Sequence, residues 1–264
     1  MSLRLLTRVA AGTAALAVLS GCGTTSIAEA EARVENEPGV VTVRASQMES
    51  PDTLPFLIQV PIDVRVVMES DSTEAEILDV LEAYSEDVDD EVVSTVEVVL
   101  RGLHGLSVLA TRQGVRVEEV EEQAVDDLVE AQEDAALAVY RRELTKYRFG
   151  DEDRLVESVE VRLAAPSGYD EVFAAADRYR EAEGPVTVRS GSFELGVDEY
   201  GEVTEAKTRL IRDAGERFRL RSVWIADIYG MTLRVDASDV PAATRYVESH
   251  VSRETGRVDV AAAT

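Results

Sequence analysis

The chain has 264 residues, 45% hydrophobic and 30% charged, and its 52 acidic against 27 basic side chains give a formal net charge of −25. So acidic a surface is repelled by phosphate backbones and by anionic lipid headgroups, which argues against direct binding to nucleic acid or to a bare membrane. Two histidines without an H-x-x-x-H pair and one cysteine leave no zinc-hydrolase ligand set and no disulfide, so stability must come from burial.

Arg4 and Arg8 precede Val9–Leu19, a stretch without charge. Eleven helical residues rise roughly 16 Å, about half the hydrocarbon thickness, so the layout is that of a secretory signal and not of a spanning helix. The segment then closes on Leu19-Ser20-Gly21-Cys22: an aliphatic residue, two small ones and the chain's single cysteine. This resembles the lipobox of bacterial lipoprotein precursors. The resemblance implies diacylglycerol transfer to the Cys22 sulfur, cleavage just before Cys22, and a chain held on the extracytoplasmic face of the cell membrane. Only a thiol can form that thioether, and a lipidated Cys22 is no catalytic nucleophile. Loss of residues 1–21 removes Arg4 and Arg8 but no acid, moving the formal charge from −25 to −27.

Residues 22–37 lack an apolar period and read as a lipid-anchored flexible tether. "GVVTV" from Gly39 reads as a strand, and Pro51, Pro55 and Pro61 as an extended approach. "IDVRVVME" alternates apolar and polar residues from Ile62, which predicts a strand. Ser72 is placed as the cap of a helix whose stripe is Ile77, Leu78, Leu81 and Tyr84, without a full capping box. "DEVVSTVEVVL" is the return strand. Nine acids and no base lie between Val117 and Tyr140. Val117, Val120, Ala124, Leu128, Ala131, Ala135 and Ala138 recur at spacings of three and four, predicting one helix over 117–146 with its acids early and its bases late, as the helix dipole favours.

The β-α-β pattern recurs. Val64-Arg65-Val66, Val161-Arg162-Leu163 and Leu233-Arg234-Val235 open three similar copies. "AADRYRE" at 175–181 and "AATRYVE" at 242–248 provide their later helices, and Gly184 and Gly256 suit helix C-terminal caps. Val203–Phe218 reads as a helix and "RSVWIADIYG" as a strand with an apolar centre, turned by Gly230. The fold expectation is α+β: repeated β-α-β units in ferredoxin-like sheets, with helices on one face and right-handed crossovers. "RFGDEDR" at 148–154 divides a 38–148 lobe from a 155–264 lobe, the first being either a second such domain or the other half of one sheet.

Candidate sites are few. "EDVDDE" at 86–91 and "GDED" at 150–153 cluster carboxylates, but neither has the ligand spacing or central glycine of an EF-hand. His104 reads as a turn residue between strands, near Ser107 but without a nucleophile elbow. His250 sits late in a helix. No catalytic, metal or cofactor residue is selected, and Cys22 is the one assigned site, for lipidation. The resulting functional expectation is a membrane-anchored envelope lipoprotein that binds or scaffolds a protein or cell-wall partner. The alternative is a carboxylate-based hydrolase of envelope glycan, which needs two convergent acids, one holding its proton; a shallow exposed sheet face would favour binding.

Overall fold

The computed structural model describes residues 26–47, 61–89, 92–102, 104–112, 114–120, 122–149, 152–180, 184–227 and 230–263. Cys22, the signal-like segment before it, Pro51 and Pro55 lie outside the described residues. The chain opens with helix α1 (Ile27–Ala32), strands β1 (Val40–Gln47) and β2 (Ile62–Met68), and helices α2 (Glu74–Glu82) and α3 (Ser85–Asp89). It continues through β3 (Val93–Arg101), β4 (Leu106–Arg112), a 3-10 turn at Val117–Glu119, α4 (Glu122–Glu133), β5 (Leu137–Phe149) and β6 (Glu152–Leu163). After these come α5 (Tyr169–Arg178), β7 (Val186–Ser190), β8 (Phe193–Val197), α6 (Glu205–Arg217), β9 (Leu220–Asp227), β10 (Gly230–Val235), α7 (Val240–His250) and β11 (Arg257–Ala262).

All eleven strands form one mixed sheet in sequence order, β1 to β11. β2 runs parallel to β3, and β3 antiparallel to β4. That alternation continues to the parallel pair β10–β11, so each helical crossover joins two directly bonded strands and each hairpin starts the next unit. This corrects the ferredoxin-like expectation. A ferredoxin-like sheet steps its crossover over an intervening strand; here each crossover moves one place, and the sheet simply lengthens. The boundary read at 148–154 falls in the β5–β6 hairpin, whose strands pair from Leu137↔Leu163 to Phe149↔Glu152. The segments 38–148 and 155–264 therefore share one sheet.

One side of that sheet is apolar throughout. Val64, Val96, Leu109, Tyr140, Val161, Val188, Leu195, Val223 and Leu233 are all buried and belong to a single cluster. The same cluster holds Ile77 of α2, Val125 of α4, Val172 of α5, Ile211 of α6 and Val247 of α7. Two strands span about 9.6 Å and packed helices stand 8–10 Å apart, so one helix per strand pair covers this side without gaps. Successive parallel pairs run in opposite directions, yet their helices share a side, so the crossovers alternate in hand. The expectation of uniformly right-handed crossovers fails for this reason: burial on a common face outweighs the handedness preference.

Local departures from the sequence reading have local causes. The 117–146 segment is not one helix: α4 ends at Glu133, the chain turns, and Leu137–Phe149 is extended. Alanine at 135 and 138 fits either period, whereas Val139, Tyr140, Leu144, Thr145 and Tyr147 favour a strand. Residues 26–37, read as tether, contain α1 docked against β1, with Ala30 and Val34 fully buried. Ser26 and Glu29 form a capping box, and Tyr84 Oη donates to the Ala30 carbonyl at 2.7 Å. Burial pushes the Tyr84 phenol up to about 12. The α2 cap is Thr73, with a complete capping box through Glu76, and not Ser72. Gly184 and Gly256 do not cap helices, since the C-caps of α5 and α7 are Tyr179 and Val251. A Cβ at Gly184 would overlap the Glu157 carbonyl, and Gly256 has φ +66°, the left-handed turn before β11.

Candidate functional site

The pleat that buries Val64, Val161 and Leu233 sends their neighbours to the side that no described helix covers. Arg65, Arg162 and Arg234, the central residues of the three similar triplets, are exposed there. Near β2–β4 this open face carries a small buried apolar group, Val67, Val99 and Val108. Beyond it lies a ladder of ion pairs. Arg141 bonds Glu97 at 2.7 Å and Glu143 at 3.2 Å, Arg112 meets Glu143 at 3.3 Å, and Arg189 meets Glu160 and Glu194, each at 2.8 Å.

Farther along, one row across the strands reads Arg141, Glu160, Thr187, Gly196 and Trp224. Trp224 is the chain's only tryptophan, and it is 41% exposed. Its neighbours Val223 and Ile225 are buried on the helical side, so strand alternation alone turns the indole outward. A Cβ on Gly196 would overlap Cε3 and Cζ3 of the indole, so the ring lies across β8 where a side chain would stand. Beside it is a shallow groove of about 180 Å³, lined chiefly by Arg141, Glu143, Ser158, Glu160, Thr187 and Trp224. Tyr147 of β5 lies on the same side by alternation, 44% exposed. Tyr200, 64% exposed, takes a hydrogen bond from Arg154, the register partner of Tyr147.

A second cleft, about 210 Å³, opens between α4 and α5 and is lined by Gln123, Asp127, Glu130, Ala131, Arg178 and Tyr179. Beside it Arg142, 4% exposed at its side chain, bonds Asp127 at 2.6 Å and Glu157 at 2.7 Å. Burial is the largest influence and works against the charged guanidinium, but Glu157, Tyr140 and Asp127 together outweigh it and the Arg142 pKa rises. The Tyr140 and Tyr179 rings stand 5.4 Å apart, and burial raises both phenols. These groups tie α4, β5 and β6 together; this is a joint of the fold.

The residues singled out from sequence scatter. Cys22 lies outside the described residues. Asp87, from the 86–91 cluster, pairs with Arg33 at 2.6 Å, and Glu152 and Asp153 are exposed along β6. The acidic strip is divided among partners on other elements: Glu119 with Lys146, Asp127 with Arg142, Asp134 with Arg178. No group of three or more potential metal ligands occurs among the described residues. His104 is at the bend between β3 and β4, and Ser107 is fully buried in the helical-side core. His250 ends α7, stacked on Tyr246. Carboxylates with resolved pKa shifts, Glu29, Glu119 and Asp236, all move down. The sequence reading missed Trp224 by giving its strand a wholly apolar centre, and missed Arg141 and Glu143 by placing them in a helix. Period-two alternation over Val223–Ile225 was the available signal for the first.

No protein-family model, curated protein or solved structure matches this chain.

Proposed function

We propose that the chain is an envelope lipoprotein, anchored through Cys22, whose open sheet face is a non-catalytic binding surface for a partner in the cell envelope. The observation that carries the binding reading is the exposed Trp224 beside a shallow polar groove on the side that no described helix covers. Tryptophan is among the residue types enriched at the energetic centres of interfaces, which makes an exposed indole beside a groove a suitable anchor for a partner. Glu143 and Glu160 face the groove as ion-paired carboxylates, an arrangement suited to fixed acceptors. The anchoring reading rests on the Leu19–Cys22 pattern, and no helix among the described residues is long and apolar enough to cross a membrane.

Two measurements test the two halves. Mass spectrometry of the native N-terminus should find a diacylated Cys22, and Cys22→Ala should abolish lipid labelling; an unmodified Cys22 in the mature protein refutes the anchor. For the face, a photo-crosslinking side chain placed at Thr232, beside Trp224 in register, should capture an envelope component in intact cells. The same group at exposed Glu216 of α6 should not. Equal capture from both positions, or none from Thr232, refutes the open-face assignment.

A further inference from the structure

We infer that the groove beside Trp224 is a subsite for a neutral saccharide chain; the inference deepens the open-face reading and rests on it. Gly196 is the first argument. A glycine inside a strand costs about 0.5–1 kcal/mol relative to alanine, and its usual compensation is a close approach by another group. Here the approaching group is the indole, seated where the Cβ would be. The Cε3–Cζ3 side of the indole is thereby held against β8, while Trp224 as a whole stays 41% exposed. A single exposed indole is a poor pocket for a branched aliphatic side chain, but a flat aromatic ring can stack on the C–H face of a pyranose ring.

The second argument is how charge is disposed around that platform. At about 4.8 Å per strand, Thr187, Glu160 and Arg141 stand roughly 5, 10 and 14 Å from Gly196 along the row. The ring therefore has hydroxyl, carboxylate and guanidinium groups at successive distances on one side. Arg141 is already neutralised by Glu97 and Glu143, and Glu160 by Arg189. An anionic or cationic ligand must displace one of these partners. A polyol need not: its hydroxyls donate to free carboxylate lone pairs and accept from remaining guanidinium N–H groups, leaving the pairs intact. An apolar peptide would find Trp224, Val159 and Pro185 there, but also five polar side chains that it cannot satisfy. The groove, at about 180 Å³, is below the range typical of drug-sized pockets and holds one ring at a time. Tyr147 lies six residues along β5 from Arg141 on the same side, roughly 20 Å away, so a ligand using both must be a chain.

Because Trp224 is the only tryptophan, the full-length protein carries its own reporter. Titration with chitohexaose or cellohexaose should shift the indole emission saturably, and calorimetry should give the same dissociation constant. Trp224→Ala, which loses the packing on Gly196, should still unfold cooperatively with a modestly lower melting temperature and weaken calorimetric binding at least about tenfold; Thr187→Val should weaken it less. The two oligosaccharides separate an N-acetylated from a plain glucan source. Absence of a saturable response to either, with proteins still captured from Thr232 in cells, overturns the saccharide assignment and leaves the open-face reading standing. Absence of both overturns both.

Discussion

Replacement of Arg142 by methionine tests whether the β5–β6 joint makes the chain one cooperative unit. The guanidinium is 4% exposed and holds Asp127 of α4 and Glu157 of β6 at 2.6 and 2.7 Å. Methionine retains much of the apolar stem but removes both charge-assisted bonds. Asp127, 29% exposed, can recover water; Glu157, 12% exposed, recovers little. Each lost bond would cost about 1.5–3 kcal/mol, and the rehydration of Asp127 returns part of one. The expected destabilisation is therefore about 3–5 kcal/mol at pH 7, in the range measured when one partner is removed from a buried pair. Urea unfolding, followed by far-ultraviolet circular dichroism and by Trp224 emission, supplies the measurement. Both probes should move to a lower midpoint together, because the joint connects the α4 and β6 segments within one sheet. Neutralising the stranded acid in Arg142→Met/Glu157→Gln should restore a good part of the loss. A loss below about 1 kcal/mol, or a change seen by only one probe, would refute the reasoning.

Two smaller perturbations probe the N-terminal elements. Tyr84→Phe removes the bond to the Ala30 carbonyl and should cost about 1 kcal/mol in urea unfolding, with faster tryptic cleavage after Arg33; an unchanged cleavage rate would mean that α1 is not held by this contact. Burial pulls the Glu119 carboxyl upward, but the Arg116 backbone N–H and Lys146 more than offset it and hold the carboxyl below its ordinary 4.5. Its folded value is depressed, so its contribution is present above the unfolded value and is lost as pH falls through the folded one. Glu119→Gln should therefore lower the melting temperature more at pH 7 than in acid, and an equal difference at both would contradict the assignment.

What could be read from residues alone was local. The triplets at Val64, Val161 and Leu233 are first strands of the first, third and fifth crossover units, which run in the same direction. Their alternation is set by one buried side, and that alternation is written directly in the residues. The intervening units run the opposite way and were harder to read. β5 carries Arg141, Arg142 and Lys146 after an alanine-rich stretch compatible with either period, and its true pattern appears only from Val139 onward. Strand order was not legible, because stepping one place or two across a sheet leaves the same apolar pattern in each strand. Trp224 was legible in principle: Val223 and Ile225 fix the inward parity, and the residue between them must face out. The groove was not, because Arg141, Ser158, Thr187 and Trp224 come from four strands whose register is a property of the assembled sheet.

The sequential order of the strands gives the molecule a nearly one-dimensional character. Among the described residues, every strand bonds only to its neighbours in the chain. Ordering can therefore spread from any nucleated unit to the next, as along a repeat array, without first closing a loop across the whole domain. The two ends of the array are finished differently. At β1, Glu31 of α1 accepts the Ala45 N–H at 3.0 Å and blunts the edge, whereas β11 pairs on one side with β10 alone. Loss of α7 and β11 would leave β10 as the new terminal strand of a shorter sheet, where the same loss from an interleaved fold would open a gap. Growth or shortening by whole units is thus the natural way for this architecture to vary, and it would leave the Trp224 platform in place so long as β5 through β9 remain.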